Sequence, residues 1–142
     1  MKVFLDTNIL VDFVEQRDNL QYAKAIFELG QTGELDLYAS YLTFANLAFI
    51  LRHRTKEERY NLMRTVREMV TVIDNTAVQL DNALGREVKD FEDLLQYCCA
   101  LSGGCDLIIT NNKKDFAEFC LMPFFTSTEF LINYLRNKEN AE

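Results

Sequence analysis

The sequence predicts an α/β fold built around a parallel sheet of about five strands. Three observations carry this. Short apolar runs alternate with helical patterns along the whole chain. Those runs are nearly all apolar, as expected for strands covered on both faces. Capping signals and glycines separate the two kinds of segment.

Val3-Phe4-Leu5 reads as the first strand, ending at Asp6-Thr7-Asn8. A helical stretch through Ile9, Leu10, Phe13 and Val14 follows. A second carries Tyr22, Ala23, Ile26, Phe27 and Leu29 and stops near Gly30 or Gly33. Leu35 to Ala39 is the second strand, and the apolar run Leu42 to Leu51 reads as a buried helix. Thr55-Lys56-Glu57-Glu58 has the capping-box spacing and opens a helix to about Met69. Val70 to Ile73 is β-branched and forms the third strand.

Thr76 and Gln79 mark a helix expected to reach Val88. Asp90 opens another, with Phe91, Leu94, Leu95, Cys98 and Leu101 on one stripe, stopping at Gly103-Gly104. Leu107 to Thr110 is the fourth strand and Leu121 to Phe125 the fifth. Thr126 and Glu129 cap a final helix carrying Phe130, Leu131, Tyr134 and Leu135.

The 142 residues fit one domain spanning 1–142, and Gly (5) and Pro (1) are too scarce to suggest a linker. No run reaches the roughly 18 apolar residues of a membrane span. Asp6 interrupts the apolar stretch that a signal peptide needs, so the expected compartment is the cytoplasm. Cys98, Cys99, Cys105 and Cys120 form no CxxC pair, and His53 is the only histidine, which argues against a zinc site. The cysteines read as small buried hydrophobes. The net charge of -7 disfavours a basic surface that coats nucleic acid broadly. It leaves room for a carboxylate-rich site.

In parallel α/β sheets the working crevice lies beyond the carboxyl ends of the strands, at a topological switch point. Asp6-Thr7-Asn8 and Thr110-Asn111-Asn112, with Asp115 close behind, end two strands. If those strands are neighbours, the polar groups share one crevice. Asp90 and Asp93 are three apart, on a common side of their helix. Clustered carboxylates repel, and Mg²⁺ or Mn²⁺ would supply the counter-charge. Each residue also has a plainer role. Asp6 and Asp90 are good helix caps, Asp93 suits a first turn, and Asn112 and Asp115 suit a turn.

Together these segments resemble the PIN domain family. Val3-Phe4-Leu5-Asp6-Thr7-Asn8-Ile9-Leu10 is similar to its opening motif. Asp90-Phe91-Glu92-Asp93-Leu94-Leu95-Gln96-Tyr97 with Ala100 resembles its third, and Ile108 to Phe116 its fourth. The resemblance implies a three-layer α/β/α sandwich and Mg²⁺- or Mn²⁺-dependent endoribonuclease activity. It further implies the toxin of a VapBC-type toxin–antitoxin pair, with RNA as substrate, an antitoxin protein as partner and a homodimer as assembly. On this basis Asp6, Asp93 and Asp115 are metal ligands, and Asn112 acts with them in catalysis. Asn8, Asn46, Asp90 and Thr110 support the site. The chain departs from the family at Asn46, where the helix after the second strand usually carries Glu. That leaves the site one formal charge poorer.

Lys113 and Lys114 adjoin the fourth motif and are the expected phosphate contacts. The basic stretch Arg52, His53, Arg54, Lys56, Arg59, Arg64 and Arg67 is interleaved with Glu57, Glu58 and Glu68, as a solvated helix face would be. Two other readings stand beside the nuclease. One is a PIN-fold module with weak or no catalysis that binds nucleic acid or protein. The other is a response-regulator-like domain with Asp6 as phosphoacceptor.

Overall fold

Alternation of strand and helix patterns becomes one five-stranded sheet of order β3-β2-β1-β4-β5, with every neighbouring pair parallel. The computed structural model describes residues 1–141. The strands are β1 (Lys2–Leu5), β2 (Asp36–Ser40), β3 (Thr71–Ile73), β4 (Leu107–Ile109) and β5 (Phe124–Phe125). The helices are α1 (Thr7–Val14), α2 (Leu20–Gln31), α3 (Tyr41–Ile50), α4 (Lys56–Met69), α5 (Ala77–Leu84), α6 (Phe91–Ser102), α7 (Lys113–Phe116) and α8 (Ser127–Ala141). A 3₁₀ turn over Leu51–His53 follows α3.

Alternation along the strands sorts the core into two layers. Val3, Leu5, Leu37 and Ile109 pack with α1, α2, α3, α4 and α8 on one face. Phe4 and Ile108 pack with Leu94, Tyr97, Cys99 and Phe116 on the other. This is the expected three-layer sandwich. The chain runs outward from β1 through β2 to β3, then returns to β4 on the opposite side. β1 and β4 therefore flank the switch point. Their register, Val3 with Leu107 and Leu5 with Ile109, brings the two polar strand ends together.

Local signals set most boundaries. Thr76 with Gln79 and Thr126 with Glu129 form reciprocal capping boxes. Thr55 accepts from the Glu58 N–H, half of such a box. Gly33 (φ 82°) and Gly104 (φ 69°) take the left-handed conformation where α2 and α6 turn back toward strands.

Five expectations change. The helix read as buried over Leu42 to Leu51 is α3, which buries only Thr43 and Leu47 and leaves Ala45 and Phe49 exposed, because one side of it faces solvent at the crevice mouth. The helix from Thr76 ends at Leu84 rather than Val88, because the Gly85 and Arg86 N–H groups turn back to Asp81 and Ala83. Glu87 then adopts a positive φ, and the Lys89 N–H donates to Glu118. The fifth strand is only Phe124–Phe125, because Pro123 has no N–H and the Leu121 N–H donates to the Tyr97 hydroxyl. On α6 the buried face is Asp93, Leu94, Gln96, Tyr97, Cys98, Cys99 and Ala100, while Phe91 and Leu101 are exposed. The helix is rotated from the expected stripe so that it buries two polar side chains. On α8, Leu135 is also exposed. No helix among the described residues is long and apolar enough to cross a membrane.

Candidate metal centre

The carboxyl ends of β1 and β4 open into a crevice of about 290 Å³. Asp6 stands at its floor. The Asp6 N–H continues the sheet ladder to the Ile109 carbonyl at 3.0 Å, which fixes the backbone as α1 begins. Its carboxylate accepts from the Thr7 N–H at 2.9 Å, the Thr110 hydroxyl at 2.8 Å and Asn8 Nδ2 at 3.1 Å. Asp6 is thus both the helix cap and a crevice acid. It is 3% exposed. Burial lifts its pKa to about 6, against the lowering by the Thr110 and Thr7 donors.

Asp93 enters from α6. Asp90 Oδ1 accepts from the Asp93 N–H at 3.0 Å, so Asp90 is the cap of that helix. Oxygens of Asp90, Asp93 and Asp115 lie within 4.8 Å of one another. Asp115 reaches this group from α7, a short helix whose existence the sequence did not suggest. The Asp93 pKa is raised to about 8, first by burial and then by the charges of Asp6, Asp90, Glu92 and Asp115. Asn112 Nδ2 approaches Asp93 Oδ2 at 3.5 Å, and the Asn112 N–H donates to Thr110 Oγ1 at 2.9 Å. Asn8 Oδ1 accepts from the Asn111 N–H at 3.2 Å, tying the two strand ends together.

The structure thus brings Asp6, Asn8, Asn46, Asp93 and Asn112 to one crevice. Asp90, Asp115 and Thr110 touch it through Asp93 and Asp6. The lysines behave differently. Lys113 forms an ion pair with Glu129 at 3.1 Å and lies over the Phe124 ring. Lys114 is exposed and has no ion pair among the described residues.

Two features escaped the sequence reading. Glu92 lines the crevice, and its Oε1 accepts from Asn46 Nδ2 at 2.8 Å. Its place in the acidic run beside Asp93 was the only hint. Beneath the acids lies a neutral network. Gln96 Nε2 donates to Thr7 Oγ1 at 3.2 Å and to Thr43 Oγ1 at 3.1 Å, and the Ser40 hydroxyl donates to Gln96 Oε1. All four side chains are buried. Arg17 and the exposed Phe49 also border the opening.

An all-oxygen donor set, buried acids of raised pKa and, among the described residues, only Arg17 as a bordering cation fit a hard divalent ion. Asp90, Asp93 and Asp115 are close enough to share one ion, and Asp6 lies outside that group but lines the same crevice as Asp93.

The family comparisons agree with this architecture. Ribonuclease VapC1 of Aquifex aeolicus (strain VF5) is 28% identical over 134 residues, covering 84% of this chain and 93% of that protein. The structure of VapBC-1 from nontypeable Haemophilus influenzae is similar at a TM-score of 0.68 and 23% identity, over 90% of this chain and 99% of that one. DNA-bound VapBC from Salmonella typhimurium is similar at 0.70 and 17% identity, over 89% and 98%. The family model described as PIN domain matches residues 2–114, from β1 through both acidic segments to the start of α7. This chain belongs to the PIN domain family.

Proposed function

We propose that this protein is a metal-dependent endoribonuclease and the toxin of a VapBC-type toxin–antitoxin pair. The observation that carries the proposal is the cluster of Asp90, Asp93 and Asp115 beside Asp6 at the β1/β4 switch point, with Arg17 the one cation lining the crevice among the described residues. The curated relative is named as a ribonuclease, and the similar structures are described as VapBC. These support RNA as the substrate and an antitoxin as the partner. We extend the reading to a homodimer acting in the cytoplasm.

In this reading Asp6, Asp93 and Asp115 hold Mg²⁺ or Mn²⁺, and Asp90 fixes the start of the helix that presents Asp93. A divalent ion held by these residues would supply the chemistry of lowering the pKa of a water and offsetting charge on a phosphodiester oxygen. Asn112 orients Asp93 and donates an N–H to the scissile phosphate. Lys114 meets a neighbouring phosphate directly, whereas Lys113 must first leave Glu129. Thr110 and Asn8 hold the Asp6 carboxylate in one orientation.

Purified protein incubated with RNA and Mn²⁺ should cleave it. Asp6→Asn and Asp93→Asn should each lose on the order of 100-fold or more, as removal of a metal ligand does. Equal cleavage by all three proteins would overturn the assignment. Asn46, neutral where the family usually has Glu, favours a second reading as a binding module with weak catalysis. Calorimetry separates the two: no Mn²⁺ binding at millimolar concentration, with RNA binding retained, supports the module.

A further inference from the structure

Asn46 deprives α3 of a carboxylate, yet the crevice contains one more acid than the family resemblance assigned. Glu92 sits in the first turn of α6, immediately before Asp93, and lines the same crevice as Asp6, Asp93 and Asn46. Asn46 Nδ2 reaches across from α3 and donates to Glu92 Oε1 at 2.8 Å. The same Nδ2 lies 3.5 Å from Thr7 Oγ1, and Thr7 follows Asp6 directly. Asn46 therefore links Glu92 to the buried network under the site. Among the described residues, no hydrogen bond engages the other Glu92 oxygen. The negative charge of Glu92 also acts on both Asp6 and Asp93, which places it within electrostatic reach of each.

We propose that Glu92 supplies from α6 the carboxylate that α3 lacks, as an additional ligand or close counter-charge for the divalent cation, with Asn46 as its positioning residue. A glutamate at 46 would face Glu92 as a like charge at hydrogen-bond range. An asparagine there instead donates to it. Neutrality at 46 and acidity at 92 thus form one arrangement, and the formal charge at the crevice is restored by relocation. This inference rests on the metal-dependent reading above.

The test uses the full chain and Mn²⁺ alone as probe, with calorimetric affinity and the metal-free melting temperature as readouts. Glu92→Gln should weaken Mn²⁺ binding about 10-fold or more, and Asn46→Ala a few-fold, the range seen when groups around a metal are removed. The metal-free melting temperature of Glu92→Gln should stay level or rise, because a like charge has left an acidic crevice. Glu139→Gln, which removes the same charge from the exposed end of α8, should match the parent. Glu92→Gln binding Mn²⁺ within twofold of the parent overturns the proposal. So does a Glu92→Gln protein that loses affinity and melting temperature together, which marks a structural role. Unchanged affinity in Asn46→Ala overturns the part assigned to Asn46. A parent that binds no Mn²⁺ overturns the metal reading itself. A parent that binds and cleaves beside an indifferent Glu92→Gln removes this inference alone.

Discussion

Two polar regions lie one above the other at the carboxyl ends of the strands, and they are built on opposite rules. The lower one, Ser40, Thr43, Thr7 and Gln96, is neutral, and each side chain has a hydrogen-bond partner among the others. The upper one, Asp6, Asp93, Asp90, Asp115 and Glu92, is charged and mutually repulsive. Asp6 and Asp93 are as buried as the lower four, whereas Asp90 and Asp115 are half-buried and Glu92 is exposed, so burial alone does not separate the two regions. The lower region is satisfied by the protein itself. The upper one is left with an excess of acid that a held proton or a cation must offset. A fold that holds unpaired acids at fixed positions needs a neutral clamp beneath them, and Gln96 clamps α6 to α1 and α3 one turn from Asp93.

The contrast predicts stability changes of opposite sign. Gln96→Leu leaves Thr7, Thr43 and Ser40 short of partners in a buried network. It should cost about 3 kcal/mol, the penalty for stranding several buried polar groups, read from denaturant unfolding. Asp93→Asn keeps the shape and removes a group that the metal-free fold must hold protonated while the unfolded chain ionises it, so the metal-free protein should become more stable at neutral pH. A loss of stability in Asp93→Asn comparable with that of Gln96→Leu would erase the distinction between the two regions.

The same contrast appears against pH. Asp93 ionises near 3.8 when unfolded but keeps its proton to about 8 in the folded metal-free chain. Between those values the unfolded state has released a proton that the folded state still binds, so raising the pH favours unfolding. Asp6 adds in the same direction between about 4 and about 6. The metal-free melting temperature should therefore fall as the pH rises from 4 to 8. Asp93→Asn should flatten the fall, most clearly between 6 and 8, and saturating Mn²⁺ should diminish it. A flat profile for the metal-free parent would contradict the electrostatic description of the crevice.

The smallest effect concerns substrate. Lys114→Ala should lower RNA affinity and reduce the dependence of binding on salt by about one counterion, as loss of one phosphate contact does. Lys113→Ala should do less, because its ammonium is already engaged by Glu129. Measuring both at several salt concentrations ranks the two lysines.

The sheet was legible because its signals are local. Apolar runs marked strands, and threonine caps marked helix starts within three residues. Asp6 and Asp93 were legible because a strand end and a helix start constrain where such side chains lie. The Asn46–Glu92 bond was not, because nothing in either segment indicates a partner 46 positions away. Gln96 was hidden for the same reason: between Leu95 and Tyr97 it looks like a surface residue, although it is fully buried. The stripe assigned to α6 failed at Phe91 and Leu101 because periodicity counted apolar residues, whereas the helix turned to bury Asp93 and Gln96. The brevity of β5 followed from Pro123, whose missing donor limits the strand on its amino-terminal side.

Asp6 also carries a consequence of valence. A carboxylate offers about four lone-pair directions. Thr7, Thr110 and Asn8 occupy three of them. About one remains, so Asp6 can grip a cation through a single oxygen and cannot chelate it with both. Ca²⁺ readily accepts two-oxygen grips and seven or eight ligands, whereas Mg²⁺ and Mn²⁺ accept single-point carboxylates and fill the rest of an octahedron with water. The three hydrogen bonds on the Asp6 carboxylate would therefore favour a small octahedral ion over Ca²⁺ at this site.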